Sequence, residues 1–324
     1  MVRTICEVPG VRVGNVTDAA AHTGCTCIVF DGGATAGVDV RGGAPGTRET
    51  DVLDPVNTVE RVHALLLTGG STFGLEAATG AVRCLEESGI GLDVGVARVP
   101  IVPAAVLFDL AVAARRPDAA MGYAAARGAA RAPFSCGNVG AGAGATVGKV
   151  LGAERAMKGG LGTAAISRPW GEATLVVGAL AAVNAVGHVR DPESGEILAG
   201  PRGDDGVVLD AAELLRNVSP GGFDPRIGSG RNTTLAVVAT NAALTKTQAT
   251  RVAQVAHDAF ARTIQPVHTS QDGDTIFAAS TGDLDVPLDV VCALACAALE
   301  RAILAAVREA EGIPGYPAHR DLTR

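Results

Sequence analysis

Apolar residues in this chain fall into short runs of two periods. Runs rich in Val, Ile, Ala and Thr, closed off by Gly, Asn or Asp, predict strands over 25–30, 64–67, 174–189, 234–240 and 275–279. Apolar residues at helical spacing predict helices over 75–88, 104–116, 209–215, 246–262 and 287–311. The last carries the broadest stripe, with Leu288, Val291, Leu294, Ala295, Ala298, Leu299 and Ile303, and Gly312-Ile313-Pro314 ends it. Between 190 and 224, Pro, Gly and Asp recur, which predicts a loop with a short helix. No internal repeat and no two-domain boundary is visible, so 1–324 reads as one domain. Strands followed by long helices, with few clean strand–helix–strand units, predict stacked α/β layers rather than a doubly wound sheet.

Composition narrows the class. A hydrophobic fraction of 48% with 19% charged residues describes a well-buried globular chain. The 42 glycines are scattered among apolar runs, so they predict tight turns and close backbone approaches. A net charge of −7 without a Lys/Arg run argues against nucleic acid as a partner. The seven cysteines are odd in number and form no CxxC pair. Cys292 and Cys296 lie one helical turn apart and Cys25 and Cys27 alternate along a strand, so they read as small buried residues. The absence of a disulfide framework, of a signal-peptide core at the start and of a long uncharged apolar run predicts a cytoplasmic protein without a membrane span.

Two glycine-rich segments invite functional readings and fail them. In Gly140–Lys149 the first glycine of a phosphate loop would fall on Ala143, and Val150 replaces the magnesium-binding hydroxyl. In Thr68-Gly69-Gly70-Ser71-Thr72-Phe73-Gly74, Phe73 stands where a nucleophile elbow needs glycine. Its glycines are expected to let a helix pack closely on its strand.

A third segment is harder to dismiss. Gly228-Ser229-Gly230-Arg231-Asn232-Thr233 opens the apolar run at 234–240. Such a turn can be only a turn. It can also expose a threonine that becomes a chain start once the Asn232–Thr233 bond breaks. A threonine hydroxyl is a weak nucleophile unless a base is beside it, and its own α-amine is such a base. Downstream, Gln271-Asp272-Gly273-Asp274-Thr275 fits a hairpin turn, or two acids aimed at a neighbouring strand's first residue. Lysine is scarce: only Lys149, Lys158 and Lys246 occur. One kept in a glycine-rich turn is either solvated or does something arginine cannot, since lysine shifts its pKa readily on burial. Asn184, inside the apolar run 180–186, needs a partner there; it would serve as an oxyanion donor or satisfy a loop carbonyl.

Segments 232–241, 268–277 and 37–51 together resemble the DmpA/NylC family of self-processing aminopeptidases, β-peptidyl aminopeptidases and nylon-oligomer (6-aminohexanoate) hydrolases. Segments 67–75 and 140–149 are similar to that family as well, so the resemblance spans nearly the whole chain. It implies an αββα sandwich akin to the N-terminal nucleophile hydrolases, cut into 1–232 and 233–324, which stay together. By that pattern Thr233 is the nucleophile, Asn232 precedes the cut, Lys149 and Asn184 match the lysine and the oxyanion asparagine, and Asp272 and Asp274 form the acid pair. The pattern sides with the nylon-hydrolase branch. Phe108 departs from it, because some members carry a tyrosine there, and it is expected in the substrate pocket.

The implied reaction is hydrolysis of short peptide or linear aliphatic amides through an acyl-enzyme on Thr233, with no metal and no cofactor. The Thr233 amine would act as base, Asn184 would stabilise the oxyanion, Lys149 would tune the amine, and the two acids would orient Thr233. Lys158 is the substitute should Lys149 prove idle. The resemblance further implies a homo-oligomer, a tetramer of processed protomers. The alternatives are a strict aminopeptidase that needs a free substrate amine and a non-processing ligand-binding relative.

Overall fold

Alternation along buried strands sorts their side chains into layers. The computed structural model describes residues 3–219 and 232–322. Nine strands there form one hydrogen-bonded system: β1 (Val11–Asp18), β2 (Thr23–Val40), β3 (Thr47–Arg48), β4 (Val62–Thr68), β5 (Ala104–Val106), β6 (Gly160–Trp170), β7 (Ala173–Asn184), β8 (Thr233–Ala242) and β9 (Thr275–Leu284). Their order is β6-β7-β8-β9-β2-β4-β5-β3, with β1 added on β2. The pairs are antiparallel except β8 with β9 and β4 with β5.

β2 serves two layers. Its first half pairs with β1 and β4, while 35–40 pair with β9, and the β2–β4 register shifts between Val29 and Ala34. On β8, Leu235, Val237 and Ala239 enter the core between the layers, whereas Ala236 and Val238 point the opposite way. On β4, Leu65 and Leu67 enter the same middle core, and Ala64 and Leu66 face outward. Besides a single turn at His319–Leu322, the α-helices among the described residues are α1 (Glu76–Glu87), α2 (Ala119–Arg127), α3 (Ala211–Arg216), α4 (Lys246–Thr263) and α5 (Leu288–Arg308). α1 and α2 cover the β2–β4 layer, and α4 and α5 cover the β6–β9 layer. The architecture is an αββα sandwich. Each fully buried Leu, Ile or Phe contributes about 1.5–3 kcal/mol. An exposed pair such as Arg12–Asp31 adds about 0–1 kcal/mol, so apolar layers hold the fold.

Local chemistry sets the element ends. A Thr245/Gln248 capping box starts α4, and the Asp118 side chain accepts the Met121 N–H to start α2. Glycine lets α1 and α2 cross closely: a Cβ on Gly80 would stand 1.7 Å from the Ala119 carbonyl oxygen, and one on Gly122 would stand 1.8 Å from that of Ala77. α5 is long and apolar enough to cross a bilayer by length and composition, yet its stripe lies buried against the sheet as in a core helix.

The helix expected over 104–116 is not formed. Residues 104–106 instead make β5, parallel to β4 at Leu66–Thr68, and the chain then turns with Asp109 buried. A short apolar run buried on both faces carries no period that separates strand from helix. The strand expected over 174–189 ends at Asn184, and His188–Arg190 form a separate strand. β1, β6 and α2 were not marked by the apolar pattern. Residues 220–231, which include the glycine-rich turn before Asn232 and the end of the 190–224 segment, lie outside the described residues.

The glycines at 69–74 serve chain packing in another way than expected. A Cβ on Gly69 would stand 2.1 Å from the Asp109 carboxylate, and one on Gly74 would stand 1.8 Å from the Gly69 carbonyl oxygen. That turn is shaped around a buried acid.

Candidate active site

Three adjacent strand ends meet at one place. β7 finishes on Asn184 directly opposite Thr233, the first residue of β8. β9 runs parallel to β8, so the residues just before it reach the same level, and Asn232 bridges to Asp272. The five residues expected to carry chemistry lie together here and are closed from solvent: Thr233 and Lys149 are 4% exposed, Asp272 and Asp274 1%, and Asn184 0%.

The Thr233 hydroxyl donates to the carbonyl oxygen of Asn232. The Gly273 N–H donates to that same oxygen at 3.0 Å. Glycine is required at 273, because a Cβ there would stand 2.6 Å from Thr233 Oγ1 and 2.9 Å from the Ala44 carbonyl oxygen. The segment at 41–44 closes over the acids through N–H bonds from Arg41 to the Asp274 carbonyl and from Ala44 to the Asp272 carbonyl, at 3.0 and 2.8 Å.

Asn184 has a fixed amide orientation. Its Oδ1 accepts from Lys149 Nζ at 2.8 Å and from the Thr146 N–H at 2.9 Å, while Nδ2 donates to the Phe108 carbonyl at 3.0 Å. Donors on one side and an acceptor on the other decide which atom is nitrogen. Lys149 also donates to the Asn184 backbone carbonyl at 3.0 Å. Burial drives Lys149 down to about 7, against the opposing pull of Asp272, Asp109 and Asp274. Burial, and then the Asp274 charge, raises Asp272, while Thr269 and Lys149 pull it back. An acid and a base shifted toward each other in a closed site suit proton transfer near neutral pH.

Both acids sit against the start of β8, but their hydrogen bonds go beside Thr233 rather than to its hydroxyl. Asp274 Oδ1 accepts the Thr234 N–H at 2.7 Å, and its Oδ2 takes the His268 N–H and Nδ1 at 3.1 and 2.8 Å. Asp272 Oδ2 accepts the Thr269 N–H and hydroxyl at 3.0 and 2.6 Å. Lys149 reaches Asn184 and is no surface residue. Phe108 is half-buried and meets the site through its backbone carbonyl. Lys158 is fully buried elsewhere, donating to the Gly142, Ala145 and Gly159 carbonyls. His268 and Gly273 escaped the sequence reading as site residues. The signal for Gly273 was its place between two acids.

The chain matches the profile of peptidase family S58 over residues 3–320. It belongs to that family. Like other members it is an amide or peptide hydrolase. It is 42% identical to an uncharacterized aminopeptidase of Mycobacterium tuberculosis, across 99% of this chain and 98% of that one. It is 33% identical to a 6-aminohexanoate-oligomer endohydrolase of a Kocuria species, across 87% of this chain and 76% of that one. Among solved structures, the L-aminopeptidase D-Ala-esterase/amidase of Ochrobactrum anthropi superposes with a TM-score of 0.70 at 21% identity, covering 99% of this chain and 93% of that one. That structure is described as a variant of the Ntn hydrolase fold, in agreement with the layers seen in this S58 chain.

Proposed function

We propose that this S58 enzyme cuts its own chain between Asn232 and Thr233 and then hydrolyses short peptide or linear aliphatic amides with the freed Thr233. The supporting observation is the contact between the Thr233 hydroxyl and the Asn232 carbonyl, which also accepts the Gly273 N–H. In the first step the hydroxyl oxygen attacks that carbonyl carbon. The Gly273 N–H stabilises the oxyanion, the hydroxyl proton passes to the Thr233 nitrogen, and the C–N bond breaks to give an ester on Thr233 with its amine free. Water cleaves the ester, leaving an Asn232 carboxylate and a free Thr233 amine.

That amine has an unperturbed pKa of about 7.7–8.0 and is the base for the second reaction. It takes the hydroxyl proton as Oγ1 attacks the substrate amide, and returns it to the departing amine. Water then releases the acid. Asn184 faces Thr233 across the strand pair and is assigned the oxyanion, a contribution of about 3–4 kcal/mol. Lys149 holds Asn184 in place. Asp272 Oδ1 is buried without a hydrogen-bond partner among the described residues, a costly state for a carboxylate oxygen. The ammonium form of the freed amine is the partner assigned to it. Because β8 and β9 lie between β7 and β2, the two halves stay joined through the sheet.

Thr233→Ala tests the reading. The variant is expected to remain one chain and to hydrolyse nothing; if it still splits after Asn232, another agent makes the cut. Free and N-acetylated forms of one small amide series, with a linear 6-aminohexanoate oligomer alongside, then separate strict aminopeptidase action from cleavage within oligomers. Strict need for a free amine gives the first.

A further inference from the structure

His268 makes more contact with the acid pair than any resemblance assigns it. Its N–H and its Nδ1 both meet one oxygen of Asp274, at 3.1 and 2.8 Å, and the other oxygen holds the Thr234 N–H at 2.7 Å. Its backbone adopts a left-handed conformation, with φ +55°, which is uncommon for a residue other than glycine. The ring is wedged against His257 and Phe260 of α4, at centroid distances of 4.7 and 6.0 Å. Burial drives His257 down to about 3, so that neighbour brings no charge. Beyond it lie Asp39 and Arg41, paired with each other at 2.7 Å. A carboxylate oxygen only accepts, so His268 Nδ1 carries the hydrogen.

We propose that His268 is a positioning residue for Thr233: it holds Asp274 by one oxygen so that the other clamps the Thr234 N–H and fixes the first residue of β8 at the point of reaction. This rests on Thr233 being the nucleophile. A ring that only fills space between α4 and the turn would not need a donor at Nδ1. The clamp does.

Asparagine and aspartate separate the two roles, since both tolerate the left-handed backbone and have nearly one shape. His268→Asn keeps an N–H on Cγ where Nδ1 stood, and His268→Asp replaces it with an acceptor. His268→Gly suits the backbone and removes the donor without adding charge. Self-cleavage rate, kcat and KM on an amide, and thermal midpoint are measured for each. The Asn variant is expected to stay within about threefold of the natural protein. The Asp and Gly variants are expected to process slowly and to lose about tenfold or more in kcat with KM little changed, as when an orienting group is lost. The Gly variant decides the matter should the Asp variant not fold. Asp and Gly variants with natural kcat would overturn the proposal, as would an Asn variant impaired as badly as they are. If the natural protein itself neither splits nor hydrolyses amides, the Thr233 reading falls instead.

Discussion

Thr233 and Gly273 depend on each other at the level of single atoms. An added methyl at 273 meets both the Thr233 hydroxyl and a backbone oxygen that cannot swing away, at 2.6 and 2.9 Å. Gly273→Ala is therefore expected to block self-cleavage although every reacting group remains. Overpacking should lower stability by about 1–3 kcal/mol as well. The fraction cleaved after purification and the unfolding midpoint check this; complete cleavage would contradict it. Thr233, Asn184, Lys149 and the two acids stood out in the sequence as candidates because each is a polar residue in an apolar or glycine-rich setting, and the family resemblance supplied the roles expected of them. Their hydrogen bonds were not legible. Which atom of Asn184 faces Lys149, and that Asp274 grips the Thr234 N–H, depend on strands far apart in sequence meeting in one register. His268 stayed hidden for the same reason: its partner is decided by a backbone turn, not by spacing.

The long helices and the long buried strands at 25–30, 64–67, 234–240 and 275–279 were readable, and a short strand set only by its pairing was not. α4 and α5 carry broad apolar stripes and end near the expected residues, whereas β5 exists because 104–106 hydrogen-bond to β4. The glycine-rich segment at 140–149 shows another kind of element, a turn plugged by a buried lysine. Lys158 is fully buried against three carbonyls, and burial drives it down from 10.5 to about 7. Lys158→Met should destabilise the chain by about 1–3 kcal/mol for each carbonyl left unpaired. The sign of its pH effect follows from proton counts. Between pH 7 and 10 the unfolded chain holds the Lys158 proton and the folded chain has shed it, so this group makes folding more favourable as pH rises. The stability gap between natural protein and variant should widen across that range. Urea midpoints at pH 7, 8 and 9 measure it, and a gap that narrows would contradict the early loss of the Lys158 proton on folding.

For the whole molecule, the sandwich explains why one cut need not undo the fold. The segment 233–324 supplies β8, β9, α4 and α5, most of the buried core on one side of the sheet, and its strands are locked between β7 and β2. Thr233 in the unbroken chain is shut away from solvent, so under the proposed self-cleavage the cut is also what would open Thr233 to a substrate. The most direct measurement is the intact mass of freshly purified protein under denaturing conditions. Two chains are expected, 1–232 and 233–324, the second beginning with Thr233, with masses that together equal the 32.4 kDa precursor plus one water. A single unbroken chain of 32.4 kDa that hydrolyses amides, or a break at any other bond, would contradict it.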